Sequence, residues 1–261
     1  MGDIFDVIGF KLPDETSYQQ LAEAARQRGT PSAISRRNAI IQGYCWSLVE
    51  GVEIWTILYE SKDGMYFADC RPAYRNSRTY EVTSWEIIEF IEDGEALVSG
   101  HIQNVDLIFE LQNFTELNEL AYNQPTLTAH LSGLCSRLKV LDVNSTPQIS
   151  PLSPAQNSQA SNKYAENDYL LTGKVVAWRE LINPMTQIKL FWLEVEVGDF
   201  RIELLVNHEQ CKGILSEGVW ISAEVWLQGY LVCPQEQQSK YEGLDISISP
   251  AEHWVVLKRE N

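Results

Sequence analysis

Apolar and polar positions alternate with a period of two along much of this chain, the mark of strands with one buried face. In the C-terminal part, Leu193, Val195 and Val197 alternate with Glu194 and Glu196, and Ile202, Leu204 and Val206 follow after Gly198-Asp199. Gly suits the first central position of a type II′ hairpin turn, so these two runs predict a hairpin. Residues 170–178 predict a strand before it, with Gly173 as a bend and Asn183-Pro184 as the turn. Val219, Ile221, Ala223, Val225 and Leu227 form one unbroken apolar face after it. Residues 208–216 predict a short helix. Ile246 and Ile248, alternating with Asp245, Ser247 and Ser249, predict a last strand that residues 254–257 extend or follow.

The N-terminal part gives one helix and a series of strands. Tyr18, Leu21, Ala22 and Ala25 fall at i, i+3, i+4 and i+7, with Ser17 and Gln20 as a capping box and Gly29 and Pro31 as the stop. Aromatic and β-branched residues predict strands over 39–49, 52–59 and 65–70, the last after the turn Lys62-Asp63-Gly64. Tyr80 and Val82 mark another strand, Asp93-Gly94 another turn, and Val105, Leu107, Phe109 and Leu111 a further strand. Residues 127–141 fit a long strand bent at Gly133 better than a short helix.

Between the two parts, 15 of the 24 residues from Asn144 to Asn167 are Ser, Pro, Asn or Gln. Such a stretch has little to bury and predicts a mobile or extended linker. The expected organisation is an α+β domain with an antiparallel sheet over 1–143, a linker over 144–167, and a β-barrel domain over 168–261, mainly β in total. The order β-β-β-α-β-β of the C-terminal domain resembles the OB-fold. Leu171-Thr172-Gly173-Lys174-Val175-Val176 and Trp226-Leu227-Gln228-Gly229 add to that resemblance, which covers about residues 168–258, and the whole chain resembles uncharacterised bacterial two-domain proteins with an OB-like C-terminal domain. That resemblance implies a fold and no activity.

Charge narrows the partners. The chain has 36 acidic and 20 basic residues, a net charge of −16, and both parts are acidic. This opposes non-specific binding to phosphates. Residues 1–10 carry Asp3 and Asp6 and no basic start, so no signal peptide is expected. No apolar run approaches a membrane span. Cys45, Cys70, Cys135, Cys211 and Cys233 are scattered, as suits reduced thiols in the cytoplasm.

No catalytic or cofactor motif stands out. The histidines His101, His130, His208 and His253 lack metal-ligand spacing, and no metal or cofactor is expected. Cys45 lies inside an apolar strand, where a structural role outweighs a nucleophilic one. Glu194 and Glu196 share a strand face that is solvated by default. The outward positions on the barrel carry more information: Trp220 and Trp226 on one strand, Lys174 and Trp178 on another. Such residues pack between domains or copies, anchor a protein partner, or stack single-stranded nucleic acid. Arg26, Arg28, Arg36 and Arg37 form the one basic cluster, facing an anion, an acidic partner or the chain's own carboxylates. The leading expectation is a non-enzymatic binding or adaptor protein that meets a protein partner or itself. The alternatives are single-stranded nucleic-acid binding by the C-terminal domain, and an enzyme whose site is assembled from distant residues.

Overall fold

The structure, a computed structural model, describes residues 2–36, 39–103, 105–141, 152–155 and 165–239. Two helices come first, α1 (Gly2–Asp6) and α2 (Glu15–Arg28). The cap of α2 is Asp14 rather than Ser17: its carboxylate accepts from the Ser17 N–H at 2.8 Å and the Ser17 hydroxyl at 2.7 Å. The apolar face expected of α2 is present, with Leu21, Ala22 and Ala25 buried.

That face covers a four-stranded antiparallel sheet, β1 (Thr30–Arg36), β2 (Ala39–Val49), β3 (Val52–Ser61) and β4 (Gly64–Tyr74), ordered as in the chain. The central β3 is buried on both faces. Val52 and Ile54 pack with α1 and α2, and the Thr56 hydroxyl donates to the Ala22 carbonyl at 2.8 Å. Trp55 and Ile57 point the other way, into the core of the second sheet.

The second sheet has ten strands: β5 (Thr79–Phe90), β6 (Glu95–Ile102), β7 (Val105–Leu111), β8 (Leu127–Val140), β9 (Leu152–Pro154), β10 (Asp168–Ile182), β11 (Lys189–Val197), β12 (Phe200–Asn207), β13 (Cys211–Lys212) and β14 (Trp220–Leu231). Its spine is the antiparallel pair β8–β14, running from Ala129 opposite Leu231 to Val140 opposite Ile221. Each spine strand changes its other neighbour halfway. β8 pairs with β5 through 127–130 and then, in parallel, with β12 through 132–135. β14 pairs with β10 through 220–226 and then, in parallel, with β7 at Gln228 and Gly229.

Two closed circuits of pairing result, β5-β6-β7-β14-β8 and β10-β11-β12-β8-β14. Each part of the chain supplies four strands to its own ring and receives the fifth from the other part. Pairing therefore crosses the expected boundary at 144–167, and one core cluster holds residues from both sides of it.

The change of neighbour needs bare backbone. Gly133 lies opposite Leu227, and Gly229 opposite Leu131. A Cβ on Gly133 would lie 2.3 Å from Val225 Cγ1 and 2.7 Å from Leu204 Cδ2. One on Gly229 would lie 2.4 Å from two Phe109 ring carbons. The third strand of each ring thus packs onto a glycine of the spine. Tyrosines tie the rings crosswise. The Tyr80 hydroxyl of β5 donates to the Arg201 carbonyl of β12, and the Tyr169 hydroxyl of β10 accepts from the Ile108 N–H of β7 at 2.7 Å.

Several sequence expectations change. β1 and β6 are additional strands. Residues 208–216 hold only a 3-10 turn, His208–Gln210, followed by β13. Within the expected linker, β9 pairs with β10, placing Leu152 opposite Leu171, and Ala155 is buried. The strands expected at 246–249 and 254–257 lie outside the described residues.

Candidate functional site

The alternation expected of β14 holds. Ile221, Ala223, Val225 and Leu227 are buried, and Trp220, Ser222, Glu224 and Trp226 take the opposite face. Residues directly opposite on paired strands share a face. Trp220 therefore sits beside Lys174, and both are exposed. Trp226 sits between Asp168 of β10 and Leu134 of β8, half-buried. Six residues of strand, about 20 Å, separate the two tryptophans.

Trp178 does not join them. Val175 lies opposite Val195 and Trp178 opposite Leu193, so Val176 is the extra residue of a bulge. The bulge reverses the alternation and turns Trp178 to the inner face. There its ring meets Phe191 edge-on at 5.7 Å and packs against the core. The outward placement expected of Trp178 is thus overturned.

The basic cluster is dispersed. Arg26 bonds Glu23 at 3.1 Å. Arg28 stacks over the Trp46 ring at 4.8 Å. Arg36, the last residue of β1, is buried, bonds Glu89 at 3.0 Å, and lies over Phe114 and Tyr122. Arg37 lies outside the described residues.

The other candidates also have local partners. Glu194 pairs with Arg78 and with Arg201, the latter at 3.7 Å, and Glu196 also meets Arg201 at 3.7 Å. His101 contacts Asp106 at 2.9 Å and His208 the Lys189 carbonyl at 3.0 Å. His253 lies outside the described residues. Burial pushes the Cys45 thiol well above its usual range. No group of three or more His, Cys, Asp or Glu among the described residues is placed to hold a metal ion. No described helix is long and apolar enough to cross a membrane.

A groove of about 1040 Å³ opens beside Trp226. Its apolar lining includes Ile4 from α1, Phe90 from β5, Leu97 from β6, and Leu134, Tyr169 and Trp226 from the spine and β10. Ile4 and Phe90 are large apolar side chains left exposed. Seven carboxylates also line it: Asp6, Asp93, Glu95, Glu110, Glu166, Asp168 and Glu224. The lining has one basic residue, Arg137, and it already pairs with Glu224 at 3.1 Å.

Behind the floor, one guanidinium serves three of the chain's carboxylates. Arg71, only 3% exposed, lies 3.1 Å from Glu110, 3.4 Å from Asp69 and 3.7 Å from Glu95. It also donates to the Gly94 carbonyl at 3.2 Å. The Arg71–Glu110 contact is an ion pair without hydrogen-bond alignment, since Glu110 Oε1 has no hydrogen-bond partner. Burial pushes the Glu110 carboxyl up to about 7 against the pull of Arg71. Burial also raises Asp69, Glu95 and Asp168. With seven carboxylates and one paired arginine in its lining, the groove is short of positive charge.

Sequence reasoning singled out Trp226 but not the groove, whose lining is drawn from residues 4 to 226 with no shared spacing. Against known proteins, no family model matches the chain, and no curated protein matches it in sequence.

Proposed function

We propose that this chain is a binding protein, not an enzyme, and that it works by receiving another polypeptide in the groove beside Trp226. The observation that carries this reading is the groove itself. It combines a half-buried tryptophan, two exposed apolar side chains and a ring of carboxylates at the junction of the two strand circuits. Interfaces draw their energy from such aromatic anchors set within a polar rim. On this reading the two rings are OB-like barrels that exchange their fifth strands; the parallel pairing of each third strand with the exchanged one supports it. The five cysteines are free thiols, and on that ground we place the protein in the cytoplasm.

The test is capture of partners by the full chain with single substitutions. Trp226→Ala is expected to lose partners that Trp220→Ala keeps, with both variants folded by circular dichroism. An unchanged partner set for Trp226→Ala refutes the reading.

One observation favours a second reading, single-stranded nucleic acid on the outer face of β14: Trp220 and Lys174 lie side by side and exposed. The same face carries Glu224 and Asp168, which repel phosphates. Tryptophan quenching by oligonucleotides that fades with added salt would favour this reading; its absence at low salt removes it.

A further inference from the structure

Resting on the reading of the groove as a docking site, we infer that its partner is a cationic segment of another protein, one in which arginine or lysine stands beside an apolar side chain. Charge points to this first. Acidic and basic residues stand at 36 to 20 in the whole chain but at seven to one in the groove lining, so the excess is local and not the general acidity of the protein. The one lining arginine is committed to Glu224.

The floor gives an independent reason. Asp69, Glu95 and Glu110 share Arg71 as their common cation, which leaves the cluster two charges short when all three are ionised. Glu110 is nine-tenths buried and belongs to the lining. A second cation entering the groove meets the partly exposed Glu95 beside Glu110, which is already stripped of most of its water, and charge pairing is worth most where water is excluded.

Tryptophan chemistry agrees. Elsewhere this protein stacks arginine on tryptophan, Arg28 over Trp46 at 4.8 Å and Arg179 over Trp192 at 4.9 Å. Among the described residues, no arginine is stacked on Trp226. A partner guanidinium fits its ring face, while Ile4 and Phe90 are at hand for an adjoining apolar side chain. The requirement for apolar contact and charge together favours a peptide over a free polyamine.

The test uses the full chain and three labelled peptides. Each carries the same Trp and Leu anchors, flanked by Arg and Lys, by Ser and Asn, or by Glu. Fluorescence anisotropy is expected to show the basic peptide binding at least about tenfold tighter than the neutral one, a preference that shrinks with salt. The double variant Glu95→Gln, Asp168→Asn is expected to erase that preference, and Glu217→Gln, an exposed carboxylate outside the groove, to keep it. Equal binding of basic and neutral peptides, or a preference that survives the double variant, overturns the cationic partner. If Trp226→Ala still weakens both peptides, the docking reading stands without it. Spermine or a single-stranded oligonucleotide binding to the groove more tightly than the basic peptide also overturns the inference. If no peptide binds, or Trp226→Ala weakens none, the docking reading falls as well.

Discussion

Replacing Glu110 with Gln separates what burial does to this carboxyl from what Arg71 does. Glu110 lies on β7 opposite Gln228 of the spine, 5% exposed, with Arg71 at 3.1 Å. Its carboxyl is pushed up to about 7, from an ordinary value of 4.5, so the native state holds this proton more tightly than the unfolded chain does. The resulting stability is fully present below the unfolded value and is lost as pH rises through the folded one. Across that interval Glu110 costs the fold about 3 kcal/mol, from roughly 1.4 kcal/mol for each pH unit between the two values. Gln keeps the shape and cannot ionise. Urea unfolding at steps from about pH 5 to about pH 8 is the assay, each step giving the difference between variant and parent. That difference is expected to move in favour of Glu110→Gln across the interval, by an amount of the order above. Asp168, also raised but not coupled to Glu110, bends both curves alike and drops out of the difference, whereas Asp69 and Glu95 share Arg71 with Glu110 and ionise more easily once it is neutral, which moves the difference the same way. A difference that stays constant with pH refutes the reasoning, because it means that Arg71 holds Glu110 ionised throughout.

The spine and the bulge give further expectations. Gly133→Ala and Gly229→Ala each force a Cβ within 2.4 Å of a neighbour, and each is expected to lower stability in denaturant unfolding. Overpacking of this kind costs about 1–3 kcal/mol, and a neutral outcome at either site would mean that the strands lie further apart than described. Trp178→Ala is expected to destabilise by about 2 kcal/mol or more, whereas Trp220→Ala stays within about 0.5 kcal/mol. Thermal melts that rank the two the other way would restore the outward placement of Trp178.

Strands marked by alternation or by a run of aromatic and β-branched residues were legible in the sequence. Residues 39–49 and 105–111 are strands from end to end: the first is a run rich in aromatic and β-branched residues, and the second sets Val105, Leu107, Phe109 and Leu111 on one face. β6 was missed although it alternates too. Its inward positions include Ala96 and Gly100, small because β5 packs closely there; a Cβ on Gly100 would lie 2.3 Å from Val82 Cγ1. β1 was missed because Pro31 looks like a stop, yet β1 is an edge strand of its sheet, where a missing N–H is tolerated. The face of Trp178 was misjudged because a one-residue bulge leaves no mark in composition and reverses every position beyond it. Alternation shows which face a strand buries but not which strand lies beside it, so the exchange of fifth strands was beyond reach.

That exchange places the groove. Asp168, Trp226 and Leu134 stand in one cross-strand row, on β10, β14 and β8, so the row exists only once the spine joins the two parts of the chain. The floor adds Glu95 and Glu110 from the first ring. One wall includes α1, which with the residues just after it is held to the C-terminal part: Asn207 donates to the Asp6 carbonyl at 2.8 Å, Gln210 to the Asp6 carboxylate at 2.7 Å, and Asn183 to the Ile8 carbonyl at 2.7 Å. A surface built from such distant residues forms only when the fold is complete, and preorganised surfaces lose little freedom on binding. Once ionised, Glu110 works against the fold by the amount derived above. A buried carboxyl that opposes folding and borders an open groove is the kind of local cost expected at a binding site, in keeping with the docking reading proposed above.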